Sequence, residues 1–480
     1  MNSAAKAIAT HGLKRRALSI GALKAFDHVL QFLLPVVLVR ALDTATFGEY
    51  RLLWLAVGTV MSVATLNMAG SLYFFLPRSD AQKKRLYVHH TLLFLAVSGL
   101  ICGLAISPWN PLVPVAMRPL GEYGALVPAF ISLWVVAILL DSLPTVDERI
   151  GWQASVTLSV SALRAVLVAV GAVASGELRV ILWLLLAVVV VKVAVLLYYV
   201  ARHHGLGRPW FERAVFADQV RTSVPFGISN TLFSLRAQAD QWVAASLFAL
   251  SSFAAFSIAG LVAQVVHIFR HSVMEAFMPA MSRMHAGGDV HGMMEMSRRA
   301  NAIVGLALFP ILAAAFAFAD EAVSIVYTTS YLEAAPVMRL YVVGMAVMVI
   351  EVGSVILLLR EGPYAIKVSA AALAVSVAAS LAGALLFGLT GAAAGSVLAI
   401  FLDRTATLRR VARLTGIPLA QLQDWRGLGW SFLSAALAGV LAWIAVRTFL
   451  FEQSAFVHLV AGTAVLAATY AALNYRRLMR

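Results

Sequence analysis

The sequence predicts an all-α polytopic membrane protein of about 14 transmembrane helices, set out as two six-helix lobes followed by two C-terminal helices. Three observations lead there. Apolar stretches of about 20 residues, the length a helix needs to cross a bilayer, recur from end to end. Of the 480 residues, 61% are hydrophobic and only 12% charged, roughly half the charged share of a soluble chain. The apolar runs lack the alternation of a barrel strand, so helices remain the way to satisfy a backbone in lipid.

In order, the spans fall at 18–39, 47–76, 87–107, 122–142, 152–174, 179–200, 219–248, 252–281, 300–319, 334–360, 364–387, 391–414, 428–450 and 455–475. Those well over 20 residues imply tilt or extension beyond the membrane. The polar stretch 201–218 leaves six helices before it and eight after. It delimits an N-lobe at 1–200, a cytoplasmic linker at 201–218, a C-lobe with its following loop at 219–427, and a terminal pair with tail at 428–480. A faint repeat fits two halves of like design: "TFGEY" (46–50) and "SFAAF" (252–256) each open a long span that closes on proline and basic residues.

Charge orients the chain. Twenty-six of its 37 Lys and Arg residues fall in loops on one side and five on the other, which places both termini in the cytoplasm. The net charge of +14 therefore sets topology and meets anionic lipid; no nucleic-acid partner is expected. The longest loops, 201–218 and 415–427, are too short for a folded catalytic domain, so the chain is not expected to be an enzyme. Asp320, Glu321 and Glu333 read as solvated loop charges. The single cysteine, Cys102, rules out a disulfide framework. No cleavable leader is expected, because the basic N-terminal tail runs into a span long enough to stay in the bilayer.

The charges inside the spans carry the functional signal, since each costs about 2.5–3.5 kcal/mol at a helix centre. In the first helix Lys24, Asp27, His28 and Gln31 follow i, i+3, i+4, i+7, one polar stripe. Thr157, Ser161 and Arg164 align in the fifth. Arg236 and Asp240 lie one turn apart in the seventh; Gln264, His267, His271 and Glu275 share a stripe in the eighth, with Arg270 beside it. Glu351 sits within the tenth. Each pair could be a structural pin of opposite charges. Recurrence at similar depth in separate helices instead points to a shared hydrated cavity, in which the cations outnumber the anions and suit a phosphate-bearing cargo.

The segment "LVRALDTATFGEYRLLWLAVGTVMSVATLNMAGSLYFFLPR", with Phe47, Gly48, Tyr50, Gly70 and Arg78, resembles the opening of polysaccharide flippases in the multidrug/oligosaccharidyl-lipid/polysaccharide (MOP) exporter superfamily. "ADQWVAASLFALSSFAAFSIAGLVAQVV" is similar to the junction of their seventh and eighth helices, with Asp240 at the family's Asp and with Ala254 and Phe256 replacing a glycine and a tyrosine. "FMPAMSRMHAGGD", "LREGPYAIKVSAAA" and "GLTGAAAGSVLA" are similar to later family segments. The resemblance implies a V-shaped pair of bundles around a central cavity lined by the first, second, seventh and eighth helices. It implies a flippase that moves an undecaprenyl-pyrophosphate-linked oligosaccharide to the periplasmic leaflet of the bacterial inner membrane, for lipopolysaccharide or exopolysaccharide synthesis. By position, Lys24, Arg236 and Arg270 would meet the pyrophosphate, joined by Arg164; Asp240 would orient Arg236. Helices thirteen and fourteen would face the polyprenyl tail. Asp27, His28, Asp240, His267, His271 and Glu351 are the candidates for orienting or ion-coupling roles. No cofactor is expected beyond proton or sodium coupling; the implied partners are membrane lipids and a glycan polymerase and export machinery. Two rivals stay open: a cation-coupled multidrug antiporter of the same superfamily, and an integral membrane polysaccharide polymerase or ligase.

Overall fold

A computed structural model describes residue 30 and residues 33–479, whose regular structure is helical with no strand among them. The chain divides into two compact units, Met1–Ser234 and Leu235–Arg480. Among the described residues eight helices are long and apolar enough to cross a membrane, and a ninth span is a bent pair.

In the first unit a helical stretch at 33–41 precedes Asp43, whose carboxylate accepts from the N–H groups of Ala45 and Thr46 and starts α1 (Thr44–Ala64). Leu66 and Asn67 take the left-handed conformation, with φ of 38° and 59°, and the chain resumes as α2 (Met68–Phe75) after a 46° bend. Phe47 and Tyr50 of the "TFGEY" motif are buried against each other. The span then continues to α3 (Ala81–Ala105), α4 (Leu126–Ala137), α5 (Ile150–Ser175), α6 (Leu178–His203) and α7 (Arg213–Leu247). Gly227 of α7 lies against the bent turn: a Cβ there would meet the Leu66 carbonyl carbon at 2.4 Å, so only glycine fits.

The stretch between α6 and α7 is strapped to this unit. His89 bonds the Gly205 carbonyl at 2.9 Å, His90 accepts the Glu212 N–H at 3.0 Å, and Asp147 accepts from both His204 and Tyr199 at 2.8 Å. Burial alone would raise the Asp147 carboxyl, but the hydrogen bonds from His204 and Tyr199 outweigh it and hold its pKa below the usual carboxylate range.

The second unit holds the end of α7, then α8 (Leu250–Ala259), α9 (Leu261–Ala286), α10 (Val290–Ala317), α11 (Ala319–Tyr327), α12 (Ala334–Met348), α13 (Gly353–Leu358), α14 (Gly362–Thr415), α15 (Trp425–Phe449) and α16 (Ala455–Leu478). Val304, Leu308, Met345, Val349, Leu428 and Ala438 form the core where α10, α12 and α15 meet. At 1.5 Å per residue the 54 residues of α14 would run about 80 Å as one rod. Gly388, with φ 64°, breaks it into two membrane-length pieces at the boundary the hydropathy indicates.

Two expectations need correction. The span 334–360 is not one helix: α12 stops at Met348 and α13 begins at Gly353. Asp320 and Glu321 are not plain solvated charges. Glu321 is 4% exposed and accepts from Arg447 at 2.8 Å, while Asp320 pairs with Arg339. Removing one partner of such a buried pair leaves a charge without compensation, so packing brought α15 to Glu321 in a way no local pattern encodes.

Candidate functional site

The second unit gathers charge from four parts of the fold. α7 supplies Arg236, α9 supplies His267 and Arg270, the gap between α12 and α13 supplies Glu351, and α14 supplies Asp403 and Arg404. Arg236 lies 3.1 Å from Asp403, and Arg404 lies 4.0 Å from the other oxygen of the same carboxylate. Arg270 and Arg404 are in Coulombic range of each other and of both Glu351 and Asp403; His267 feels Arg236, Arg270 and Arg404 together. Three guanidiniums thus face two carboxylates, and the surplus is positive.

The broken span is what seats this cluster. Asn301 of α10 donates to the Glu351 carbonyl at 3.1 Å and accepts the Glu351 N–H at 3.0 Å, replacing the helical bonds that the gap gives up. It also donates to Gln423 at 3.0 Å. The Glu351 carboxylate accepts the Ser354 N–H at 3.1 Å, at the start of α13, where a negative charge opposes the helix dipole. Arg270 points to the opposite end of the break and donates to the Met348 carbonyl at 3.4 Å. Arg270 also bonds His267 Nδ1 at 3.3 Å. A guanidinium only donates, so in this arrangement Nδ1 accepts and the His267 ring is neutral with its proton on Nε2.

Asp240 does not orient Arg236, contrary to the expectation drawn from their four-residue spacing. Asp240 is 2% exposed and accepts from the Tyr341 hydroxyl of α12 at 2.7 Å, while the ionic partner of Arg236 is Asp403. A neighbouring helix offered each side chain a better-placed partner than its own helix did. Among the other candidates, His271 and Glu275 pair with each other at 3.2 Å on an exposed face of α9, one turn from His267. Arg164 lies in the first unit, over the rings of Trp54 and Trp134. Lys24, Asp27 and His28 lie outside the described residues.

Asp403 and Arg404 are not among the residues that the sequence singles out. Both fall inside the apolar span 391–414, and an adjacent Asp-Arg pair within a span was the available signal. Arg404 also opens onto an apolar groove of about 980 Å³ bounded by α10, α12, α14 and α15. Phe309, Leu312, Phe401, Leu408, Leu428 and Phe432 are among its walls, and Arg339 is the other charged residue lining it.

The architecture matches transporters of lipids and drugs. The fold is similar to the lipid II flippase MurJ in an inward closed conformation, with a TM-score of 0.71, 12% identity, and coverage of 96% of this chain and 100% of that one. It is also similar to a multidrug resistance MATE family transporter of the MOP superfamily in an inward-facing conformation (TM-score 0.62, 13% identity, 81% of this chain and 95% of that one). A Vibrio cholerae MATE transporter shares it with a TM-score of 0.52 at 13% identity, over 84% of this chain and 98% of that one. At such identities the likeness defines the fold alone: an all-helical architecture shared with multi-pass membrane transporters. The sequence adds the family. The family model described as "Polysaccharide biosynthesis protein" matches residues 37–336, more than half of the chain, and the protein belongs to that family. No curated protein matches the sequence.

Proposed function

We propose that this protein is a flippase, not an enzyme, that carries an undecaprenyl-pyrophosphate-linked oligosaccharide from the cytoplasmic to the periplasmic leaflet of a bacterial inner membrane, for surface or exported polysaccharide. The observation that carries the reading is the partly buried cluster of Arg236, Arg270 and Arg404 joined, through Arg404, to an apolar groove. A glycosylated lipid-linked pyrophosphate has the matching parts: a dianion beside a chain of isoprene units.

Stripping water from a pyrophosphate is the costly part of crossing a bilayer. Planar guanidinium forks replace that hydration with charge-assisted bonds. In the empty site Asp403 compensates two of them, and an arriving phosphate takes its place. The apolar groove shelters the first isoprene units while the rest of the tail stays in lipid. Net transport then requires different affinity in the two access states. Asp240, buried beside Tyr341, is the group through which we propose that a proton or sodium ion is coupled. A glycan polymerase and export machinery would take the product.

The test is a proteoliposome assay of leaflet exchange with an undecaprenyl-pyrophosphoryl disaccharide, comparing wild type with Arg404→Gln and Arg236→Gln. Both variants should lose at least about tenfold in rate, the equivalent of one charge-assisted bond. Full activity in both variants, or ethidium efflux by the wild type with no exchange of the lipid, would refute the reading.

A further inference from the structure

The first unit carries a second polar feature that the pyrophosphate cluster leaves unused. Along α5, Gln153, Thr157, Ser161 and Arg164 recur at i, i+4, i+8 and i+11 and so share one face. Gln153 donates to Thr157 at 3.0 Å. At the end of this stripe the Arg164 guanidinium stands 5.4 Å from the ring centre of Trp54 and 5.8 Å from that of Trp134. The two indoles meet edge to face at 5.3 Å and 80°, backed by Phe130 and the buried Tyr50. Both are only partly buried.

The neighbouring cation shows what is unusual here. Lys192 also approaches Trp134, at 5.2 Å, but its charge is answered by Asp141 at 2.8 Å. Arg164 has ring faces as neighbours, and its Nε is buried with no hydrogen-bond partner. A donor left so inside a membrane protein is costly unless a ligand satisfies it.

We propose that Trp54, Trp134 and Arg164 form a saccharide platform, which takes a pyranose of the cargo and deepens the flippase reading on which it rests. The electron-rich indole faces attract the C–H bonds of a pyranose face. The guanidinium donates to its hydroxyl or carboxylate oxygens, and the Thr157 and Ser161 hydroxyls extend the polar side. A purely structural role, with the rings as cation–π pins for Arg164, makes a different prediction, because replacing either indole then leaves the relative affinity for glycosylated and sugar-free lipid unchanged.

The full chain in nanodiscs would be titrated with two probes, undecaprenyl pyrophosphate and undecaprenyl-pyrophosphoryl disaccharide. The wild type should prefer the glycosylated probe. Trp54→Leu and Trp134→Leu should each cut that preference by about three- to tenfold, while Trp134→Phe, which keeps a ring, should retain most of it. Hydroxyl-radical footprinting of the wild type serves as a second measurement independent of variant folding: both indoles should be protected by the glycosylated probe and not by the sugar-free one. Unchanged preference in folded Leu variants, or equal protection by both probes, overturns the platform while leaving the flippase reading intact. Failure of the wild type to bind either probe removes the flippase reading and the platform with it.

Discussion

Replacing Asp403 with Asn should push stability and anion affinity in opposite directions. Its carboxylate lies 3.1 Å from Arg236 and 4.0 Å from Arg404, with side chains 13%, 17% and 10% exposed for Arg236, Asp403 and Arg404. At 3.1 Å and an effective dielectric of about 20, the gross attraction to Arg236 alone is about 5 kcal/mol. Breaking a largely buried pair by removing one partner costs about 3–5 kcal/mol, because the remaining charge is left without compensation. Asp403→Asn should therefore lower the melting temperature in detergent by several degrees. The same change removes the competitor that a phosphate must displace, so undecaprenyl pyrophosphate should bind the variant at least about tenfold more tightly and restore most of its lost stability. Transport should slow, because a cargo held too well is released slowly. Thermal unfolding with and without the lipid, combined with calorimetric titration, measures both signs. A variant that melts like the wild type, or binds the lipid no better, would show that Asp403 does not balance the arginine cluster.

Three further outcomes follow from contacts elsewhere. Tyr341→Phe removes the hydroxyl that donates to the buried Asp240 and should cost about 1–3 kcal/mol in thermal unfolding, the loss of one hydrogen bond to a carboxylate that keeps those from Ser396 and the Gln241 N–H. Gly227→Ala places a methyl within 2.5 Å of the Leu66 carbonyl and should abolish a monodisperse peak in size-exclusion chromatography, whereas Gly151→Ala, which meets open space, should not. Asp147 has its pKa held down in the folded state, so its pairing stabilises the chain above the unfolded value of about 3.9 and is lost as pH falls through the lower folded value. Asp147→Asn should accordingly be less stable than wild type at pH 7, and the gap in melting temperature should shrink in acid below about pH 4; a gap independent of pH would contradict this.

Hydropathy is a local property, and for that reason the helical class and the span boundary near 387–391 could be read before any contact was known. The same reasoning explains an apparent paradox: α7 and α9, which carry Arg236, His267 and Arg270, are not among the eight helices that qualify as spans by length and apolar character. A helix that lines a polar interior must give up hydropathy to do so, and the charges that weaken the span signal mark the site. Pairing was not legible in this way. Arg236 and Asp240 stand at a spacing that invites an ion pair, yet Asp403, 167 positions along the chain from Arg236, takes one and Tyr341 takes the other. The break at Glu351 is invisible to a hydropathy window because its backbone is satisfied by Asn301, 50 residues away.

By itself, then, the order of residues determined that this protein is built of apolar helices and which of its apolar stretches bear charge, since both follow from transfer of neighbouring side chains into lipid. Tertiary structure alone decided which charges meet. An arginine in hydrocarbon takes whichever partner the packing of other helices brings within reach, and that choice is made by the fold as a whole.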